Sequence, residues 1–402
     1  MSAVPRTSFL SRYPELGTAP IPVRPYLSND YYAAEVEKIF KRDWLCVGRV
    51  EEIPKPGDFK VKRLEFAHTS VILIRAKEGS INAFHNVCRH RGNKVITETG
   101  GDETTGNKKA AVMSCRFHGW VYSAKGELLQ VPHENKFPPC FNKSENGLVP
   151  IHVDVWEGFI CINLAQRPSR TLPEFLGGLS EHLGGYPFHT MTHVHTYYAH
   201  INCNWKIGMD AFSEAYHVPT IHAGSFPGLT DYWQDDCELY GEHRSIAFYS
   251  RDMNPPTPVG TAANNIFGAS IALKRSEPFQ LPKTVNPQRH KNWGFEQTTM
   301  FPNFLIHVAE GLWFTHQFWP VAQNKCLWEG KYYTRKPLTN SERWAQHYAV
   351  ILQRNAWLED TATMEDTQDA LLSGAVQEIH LQDDEIMLRH AFHIINARVE
   401  GA

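Results

Sequence analysis

Two short pairs of ligating residues constrain this chain more than any other feature. Cys88-Arg89-His90 is followed, after 24 intervening residues, by Cys115-Arg116-Phe117-His118. A Cys and a His on each of two loops form a metal-site signature. Two groups satisfy it: a tetrahedral Cys₂His₂ zinc, or a [2Fe–2S] centre with two Cys on one iron and two His on the other. Gly92 and Gly119 follow the two pairs. Glycine permits tight turns that direct backbone N–H groups at sulfur, and such donors raise a cluster's potential. Tyr122 offers a further hydroxyl donor. These features favour iron–sulfur, with a zinc ribbon as the alternative.

The pairs lie in a stretch of short β-rich runs separated by turn residues: 70–75, 81–84, 111–114, 119–123 and 156–164. Residues 98–108, polar with three glycines, read as an exposed hairpin loop. The expected organisation is a Pro-rich extended arm (1–26) and helix (31–43) forming 1–43, an all-β unit over 44–165, and a larger unit over 166–402. In the last, strands are expected near 192–202 and across 297–334, with a helix from about Trp205. A long helix is expected over 341–373, capped by Asn340 or Ser341 and stopped at Gly374. Residues 225–290, with Pro255, Pro256 and Pro258, read as irregular. The fold class is therefore α+β.

Composition narrows the setting. Lys+Arg total 40 against 43 Asp+Glu, a formal charge of −3. Without a basic excess or polybasic run, neither nucleic acid nor an anionic membrane is an expected partner. Eight Cys in 402 residues are too sparse for a disulfide framework. Cys46, Cys140, Cys161, Cys203, Cys237 and Cys326 read as buried, reduced thiols. The N-terminus lacks an apolar signal region, and no run approaches the roughly 18 apolar residues of a membrane span. A cytoplasmic location is expected.

A second constellation follows: Asn204-Trp205-Lys206, Asp210, Glu214, His217 and His222. On one helix, positions 210, 214 and 217 share a face. Pro219 would break that helix and let His222 return from a loop. Two His and a carboxylate, leaving open positions, form the facial triad of non-haem Fe(II) oxygenases. Among 21 His, a pair at this spacing also arises by chance as a structural pair. The upstream cluster motif is what raises the metal reading.

Residues 84–122 resemble the Rieske segment of aromatic ring-hydroxylating oxygenase α subunits. Residues 204–222 (NWKIGMDAFSEAYHVPTIH) resemble the mononuclear-iron motif of the same family. Quinol-oxidising Rieske proteins carry a further disulfide-forming Cys in each loop. Here the neighbours include Asn93 and Phe117. The resemblance spans about 25–395 and includes Phe301-Pro302-Asn303 of the catalytic sheet. It implies an all-β Rieske [2Fe–2S] domain ahead of a helix-grip-like catalytic domain, an antiparallel sheet with long helices. Cys88 and Cys115 would hold one cluster iron, and His90 and His118 the other. His217, His222 and Asp360 would hold a mononuclear Fe(II). Asp360 stands 143 residues after His217, with Glu359 as its neighbouring rival and Glu365 and Asp366 as further candidates.

Asp210 matches a position that orients a ligand from behind. Glu214 matches the carboxylate that passes electrons between His217 and a cluster His, His90 or His118, of the next subunit in a homotrimer, with or without a β subunit. That position is commonly Asp in aromatic-ring dioxygenases and Glu in some monooxygenases. The chain has no dinucleotide fingerprint. Electrons from NAD(P)H would arrive only through a separate flavin reductase, with or without a ferredoxin. The implied activity uses O₂ to cis-dihydroxylate an aromatic or other hydrophobic small molecule, as in aromatic hydrocarbon catabolism. The alternative is a Rieske monooxygenase performing hydroxylation or O-/N-demethylation. An electron carrier and a zinc-stabilised binding module are the rivals from other classes. An apolar pocket is expected near Met209, Ala211, Phe212 and the aromatics of 301–319.

Overall fold

A computed structural model describes residues 8–98, 103–108, 111–227, 229, 231–251, 257–267 and 280–401, the side chains of 264, 265 and 267 excepted. Pro255, Pro256 and the glycine pair at 100–101 lie outside the described residues. The chain divides into two units, Phe40–Phe175 and a second formed by residues up to Ile39 with Leu176 onward. The stretch read as one arm and helix, 1–43, is thus shared between the two.

The N-terminal segment is not simply extended. It forms α1 (Phe9–Arg12), β1 (Ile21–Pro22), α2 (Arg24–Leu27) and α3 (Asn29–Glu35), which runs on into a π-helical turn at Val36–Phe40. The Ser28 hydroxyl caps α3 by accepting from Tyr31 N–H at 3.2 Å. Glu35, fully buried at the end of α3, ties this segment to the second unit. Its carboxylate pairs with Lys206 Nζ at 2.6 Å and accepts from Trp205 Nε1–H at 3.0 Å.

In the first unit, β-branched runs form an antiparallel sheet. Its strands are β2 (Trp44–Arg49), β3 (Asp58–Leu64), β4 (Thr69–Arg75), β5 (Ile81–His85), β6 (Glu103–Asn107), β10 (Pro150–Trp156) and β11 (Phe159–Asn163), in the order β2-β11-β10-β5-β4-β3-β6. The expected strand over 156–164 is the turn and second arm of the β10–β11 hairpin. Part of the expected 98–108 loop is strand β6. Charge accounts for this: buried Lys60 and Lys62 on β3 both reach Glu103 at 2.9 Å, and a buried ammonium needs a partner. A separate three-stranded sheet, β7 (Val112–Ser114), β8 (Val121–Ser123) and β9 (Leu128–Gln130), carries the second Cys/His loop.

After α4 (Leu172–Leu176) and α5 (Gly178–His182), the second unit is built on a seven-stranded antiparallel sheet. In chain order come β12 (Thr192–Ile201), α6 (Trp205–Ala211), α7 (Val218–Ile221), β13 (Tyr232–Tyr240), β14 (His243–Ser250), α8 (Pro258–Phe267), β15 (Trp293–Met300), β16 (Phe304–Ala309), β17 (Leu312–Ala322), β18 (Lys325–Thr334), α9 (Asn340–Leu372), β19 (Glu378–Ile379) and α10 (Ile386–Glu400). The sheet order is β12-β18-β17-β16-β15-β14-β13, and β1 pairs with β19. The region read as irregular over 225–290 therefore contains a hairpin and a helix. Asp235, Asp236 and Glu238 obscure β13 in the sequence, and a bulge interrupts its register between Asp235 and Glu238. Charges and bulges are usual on an edge strand.

Helix α6 rests against β17 because Gly208 has no side chain. A Cβ there would lie 2.2 Å from the Phe318 ring. Thr339 caps α9 by accepting from Glu342 N–H at 3.1 Å, correcting the choice of Asn340 or Ser341. Gly374, at φ 73°, stands just beyond the end of α9. Among the described residues, no helix is long and apolar enough to cross a membrane.

Candidate metal centres

The first pair of ligands is shaped by two turns of the same design. Gly92 N–H bonds the Cys88 carbonyl at 3.0 Å, and Gly119 N–H bonds the Cys115 carbonyl at 2.9 Å. Both glycines have left-handed φ, 75° and 71°, where a Cβ is disfavoured. Each Cys N–H is also held from beyond its turn, by Asn93 O at 2.8 Å and Trp120 O at 2.8 Å. These bonds present the two buried thiols together. The His90 and His118 rings meet edge to face at 4.5 Å between centroids, and His90 stacks on Trp120 at 4.9 Å.

The thiols sit among hydrogen-bond donors. Tyr122 Oη lies 3.2 Å from Cys88 Sγ, and Asn93 Nδ2 lies 3.7 Å from Cys115 Sγ. Burial raises the Cys115 pKa, but the backbone N–H groups of Phe117 and His118 and the Asn93 amide outweigh it and bring the net value down. For Cys88, burial prevails and the net value is raised. His90 Nδ1 is buried without a hydrogen-bond partner, as befits a nitrogen reserved for a metal. Two thiols and two imidazoles so held fit a [2Fe–2S] cluster.

The second site gathers distant residues. His217, His222 and Asp360 offer three ligand atoms within 4.8 Å of one another, the only such group among the described residues. The positioning differs from the expected single helix. α6 ends at Ala211, so Glu214 and His217 lie beyond it. Pro219 does not break a helix but occupies the first turn of α7, where its missing N–H does no harm. His217 precedes this four-residue helix and His222 follows it, with His222 N–H bonded to Val218 O at 3.1 Å. One short helical turn thus brings both imidazoles to the same side.

Each imidazole is held from behind by a carboxylate. Glu214 Oε1 hydrogen-bonds His217 Nδ1, while its Oε2 accepts the backbone N–H groups of Tyr216 and His217. Glu359 Oε2 takes His222 Nδ1 at 3.0 Å. A carboxylate on Nδ1 fixes the proton there and leaves the Nε2 lone pair facing forward. Both Nε2 atoms then lie 3.3 Å from Asp360 Oδ1, an oxygen that receives no well-directed hydrogen bond. Three electron-pair donors converge on one point, an arrangement that repels unless a cation sits between them. Burial opposes charge on His222, but Asp360 and Glu359 outweigh it and raise its pKa. Burial likewise raises that of Asp360. The donor set fits a divalent metal with open positions.

Of the other candidates, Glu359 supports His222 instead of competing with Asp360. Glu365 accepts from the Asn202 backbone at 2.8 Å, outside the cluster. Asp210 lies on the wall of a separate small cavity with Met209 and Arg244, and accepts from Tyr26 Oη–H at 2.7 Å. A cavity of about 90 Å³ opens beside the triad. Ala211 and Phe212 line it as expected; Met209 does not. Sequence reasoning missed Phe226, Phe248, Phe295 and Trp357 on its wall. They come from the turn after α7, from β14, from β15 and from α9, so their common destination is set by tertiary packing and carries no local signal. Of the remaining cysteines, Cys46, Cys161, Cys203, Cys237 and Cys326 are buried and Cys140 is exposed.

Comparison with known proteins follows the same division. The Rieske [2Fe-2S] domain family matches residues 43–150, and the family described as ring hydroxylating alpha subunit (catalytic domain) matches 188–401. The chain belongs to the ring-hydroxylating oxygenase α-subunit family. It binds a Rieske [2Fe–2S] cluster and a mononuclear iron.

Chlorobenzene dioxygenase subunit alpha of Cupriavidus sp. (strain PS12) is 31% identical over 52% of this chain and 46% of its own length. The glycine betaine monooxygenase oxygenase subunit of Chromohalobacter salexigens is 30% identical over 55% and 47%. The chain thus spans about half the length of these two relatives. The carnitine monooxygenase oxygenase subunit of Acinetobacter baumannii is 26% identical over 79% of this chain and 76% of its own. Among solved structures, a quaternary ammonium Rieske monooxygenase aligns over 99% of both chains with TM-score 0.76 at 20% identity. Naphthalene 1,2-dioxygenase from Rhodococcus sp. aligns over 94% of both with TM-score 0.72 at 18% identity. These likenesses establish the fold.

Proposed function

We propose that this chain is the terminal oxygenase of a multicomponent system, hydroxylating a compact, largely apolar molecule with O₂. The observation that carries the reading is the convergence of His217 Nε2, His222 Nε2 and Asp360 Oδ1 beside an aromatic cavity. Iron held there supplies O₂ activation when electrons arrive. The chain's own residues do the rest. Glu214 and Glu359 keep both imidazoles in the ligating tautomer. The phenylalanines and Trp357 hold the substrate and exclude water. Cys88, Cys115, His90 and His118 retain the cluster that receives electrons from a separate reductase or ferredoxin.

Glu214 carries a second duty in this reading. Its carboxylate already engages His217 Nδ1, and in a homotrimer it would also meet His90 or His118 of the next subunit. Glu214→Gln is expected to leave three irons per chain and stop turnover; full turnover at unchanged iron content would rule the bridge out.

Cis-dihydroxylation of an aromatic ring is the first reading of the reaction. Monooxygenation is the second, supported by Glu214 and by likeness to carnitine monooxygenase across most of both chains. Turnover under labelled O₂ separates them. Two labelled oxygens in a diol support the first, one labelled oxygen supports the second, and none overturns both.

A further inference from the structure

The cavity beside the triad is not uniformly apolar. Gln297 Nε2, His307 Nδ1, His316 Nε2 and Gln353 Oε1 belong to residues on its wall, and all four atoms are buried without a hydrogen-bond partner. They come from four elements: β15, β16, β17 and α9. Orphaned buried polar atoms are rare and each calls for a reason. Here they share one cavity.

The protonation of His316 follows from its surroundings. Its Nδ1 accepts from Trp328 Nε1–H at 3.1 Å. Burial, reinforced by His307, keeps the ring neutral, so its single proton sits on Nε2 and that atom is a donor. The ring cannot turn freely. It stacks on Phe212 at 4.1 Å and meets Trp357 edge-on at 4.7 Å. His307 is likewise stacked on Phe314 at 4.4 Å. Gln297 adds an amide donor and Gln353 a carbonyl acceptor. Polar groups held by packing in this way are organised before a ligand arrives.

We propose that the substrate is a compact, uncharged aromatic compound bearing a hydroxyl or carboxamide group, which Gln297, His316 and Gln353 hydrogen-bond while the phenylalanines and Trp357 hold the ring. The proposal rests on the oxygenase reading of the same site. A hydroxyl accepts two hydrogen bonds and donates one, which matches two donors and one acceptor. A bare hydrocarbon would bury all of these groups unpaired. A trimethylammonium group would offer them neither a donor nor an acceptor. The cavity is small, about 90 Å³, which restricts the substrate to a compact molecule.

The test is anaerobic calorimetry on the full chain loaded with cluster and iron, without reductant, using phenol, anisole, toluene and glycine betaine. Phenol is expected to bind at least about tenfold tighter than toluene, with anisole, which accepts but does not donate, between them. Gln297→Leu and Gln353→Leu are expected to bring phenol and toluene within about twofold. Toluene binding as tightly as phenol, or betaine binding tighter than both, overturns the proposal, as does an unchanged ratio in folded variants. If the variants do not fold, the order of the four ligands on the unaltered chain decides. Iron content and oxygen-dependent product are measured on the same preparation. Absent product with the binding order intact counts against the oxygenase reading alone. Turnover without the binding order counts against this proposal alone.

Discussion

The proposed cluster ligands lie within 31 residues of chain, on two turns that each close by a bond from a glycine N–H to the cysteine carbonyl. The proposed iron ligands are gathered from either side of a four-residue helix and, 143 residues after His217, from the middle of α9. The first site is therefore made by local backbone conformation. The second depends on long-range packing and on buried charges that hold distant elements in place. A local site fails piece by piece. A gathered site fails whenever the elements that bring it together move, even when no ligand is touched.

The largest effect expected from this contrast is at Asp360. Asp360→Ala should abolish turnover and lower iron from three to two per chain, with the Rieske visible spectrum intact; loss of that spectrum would contradict the independence of the two sites. Glu359→Ala leaves the ligands in place but frees His222, and a loss of about 10- to 100-fold in iron affinity or activity is expected. No change in either would show that the Glu359 contact does not position the ring.

Glu35 tests the dependence on remote packing. Glu35→Ala leaves the Lys206 ammonium buried alone, and breaking such a pair costs about 3–5 kcal/mol. Thermal or denaturant unfolding should register this in the second unit, while Glu35→Ala combined with Lys206→Met recovers much of it. A loss below about 1 kcal/mol would remove this pair from the account.

Asp210 gives the same contrast a pH signature. Burial, offset in part by Tyr26 and Arg244, raises its pKa from 3.8 to about 6. The folded state then binds the proton more tightly than the unfolded one, so stability falls as pH rises from about 4 to about 6, by up to about 3 kcal/mol. Asp210→Asn should remove this component, and urea unfolding across that range should show a flatter profile than the unaltered chain. Identical profiles would mean that the fold does not raise the Asp210 pKa. The smallest effect is local. At Gly92 a Cβ meets nothing within 4 Å, so Gly92→Ala carries only the left-handed backbone strain, about 1–2 kcal/mol, with the cluster retained.

Legibility in the sequence followed the same division. The turns that bring Cys88, His90, Cys115 and His118 together could be read in the sequence, because their glycines and Tyr122 are near neighbours in the chain. For the iron site the ligand types and the distance to Asp360 were readable, but their mounting was not. Helical spacing put Asp210, Glu214 and His217 on one face, whereas α6 stops at Ala211 and Asp210 turns to Tyr26. Glu359 looked like a rival ligand because sequence adjacency cannot say which of two neighbouring acids faces inward. β13 was hidden because an acidic edge strand lacks the alternation of a half-buried one. The cavity's polar atoms could not be found at all, since four separate elements bring them together.

Helix α9 carries Gln353, Ala356 and Trp357 on the cavity wall, and Glu359 and Asp360 at the metal point, within little more than two turns. Inheritance is therefore constrained unevenly around the site. A change that reshapes α9 to admit a different molecule also displaces the residues on which iron depends. Phe295, Gln297, His307, Phe314 and His316 stand on strands that contribute no ligand. New substrate ranges should accordingly arise by drift on the sheet, while the helix opposite stays fixed.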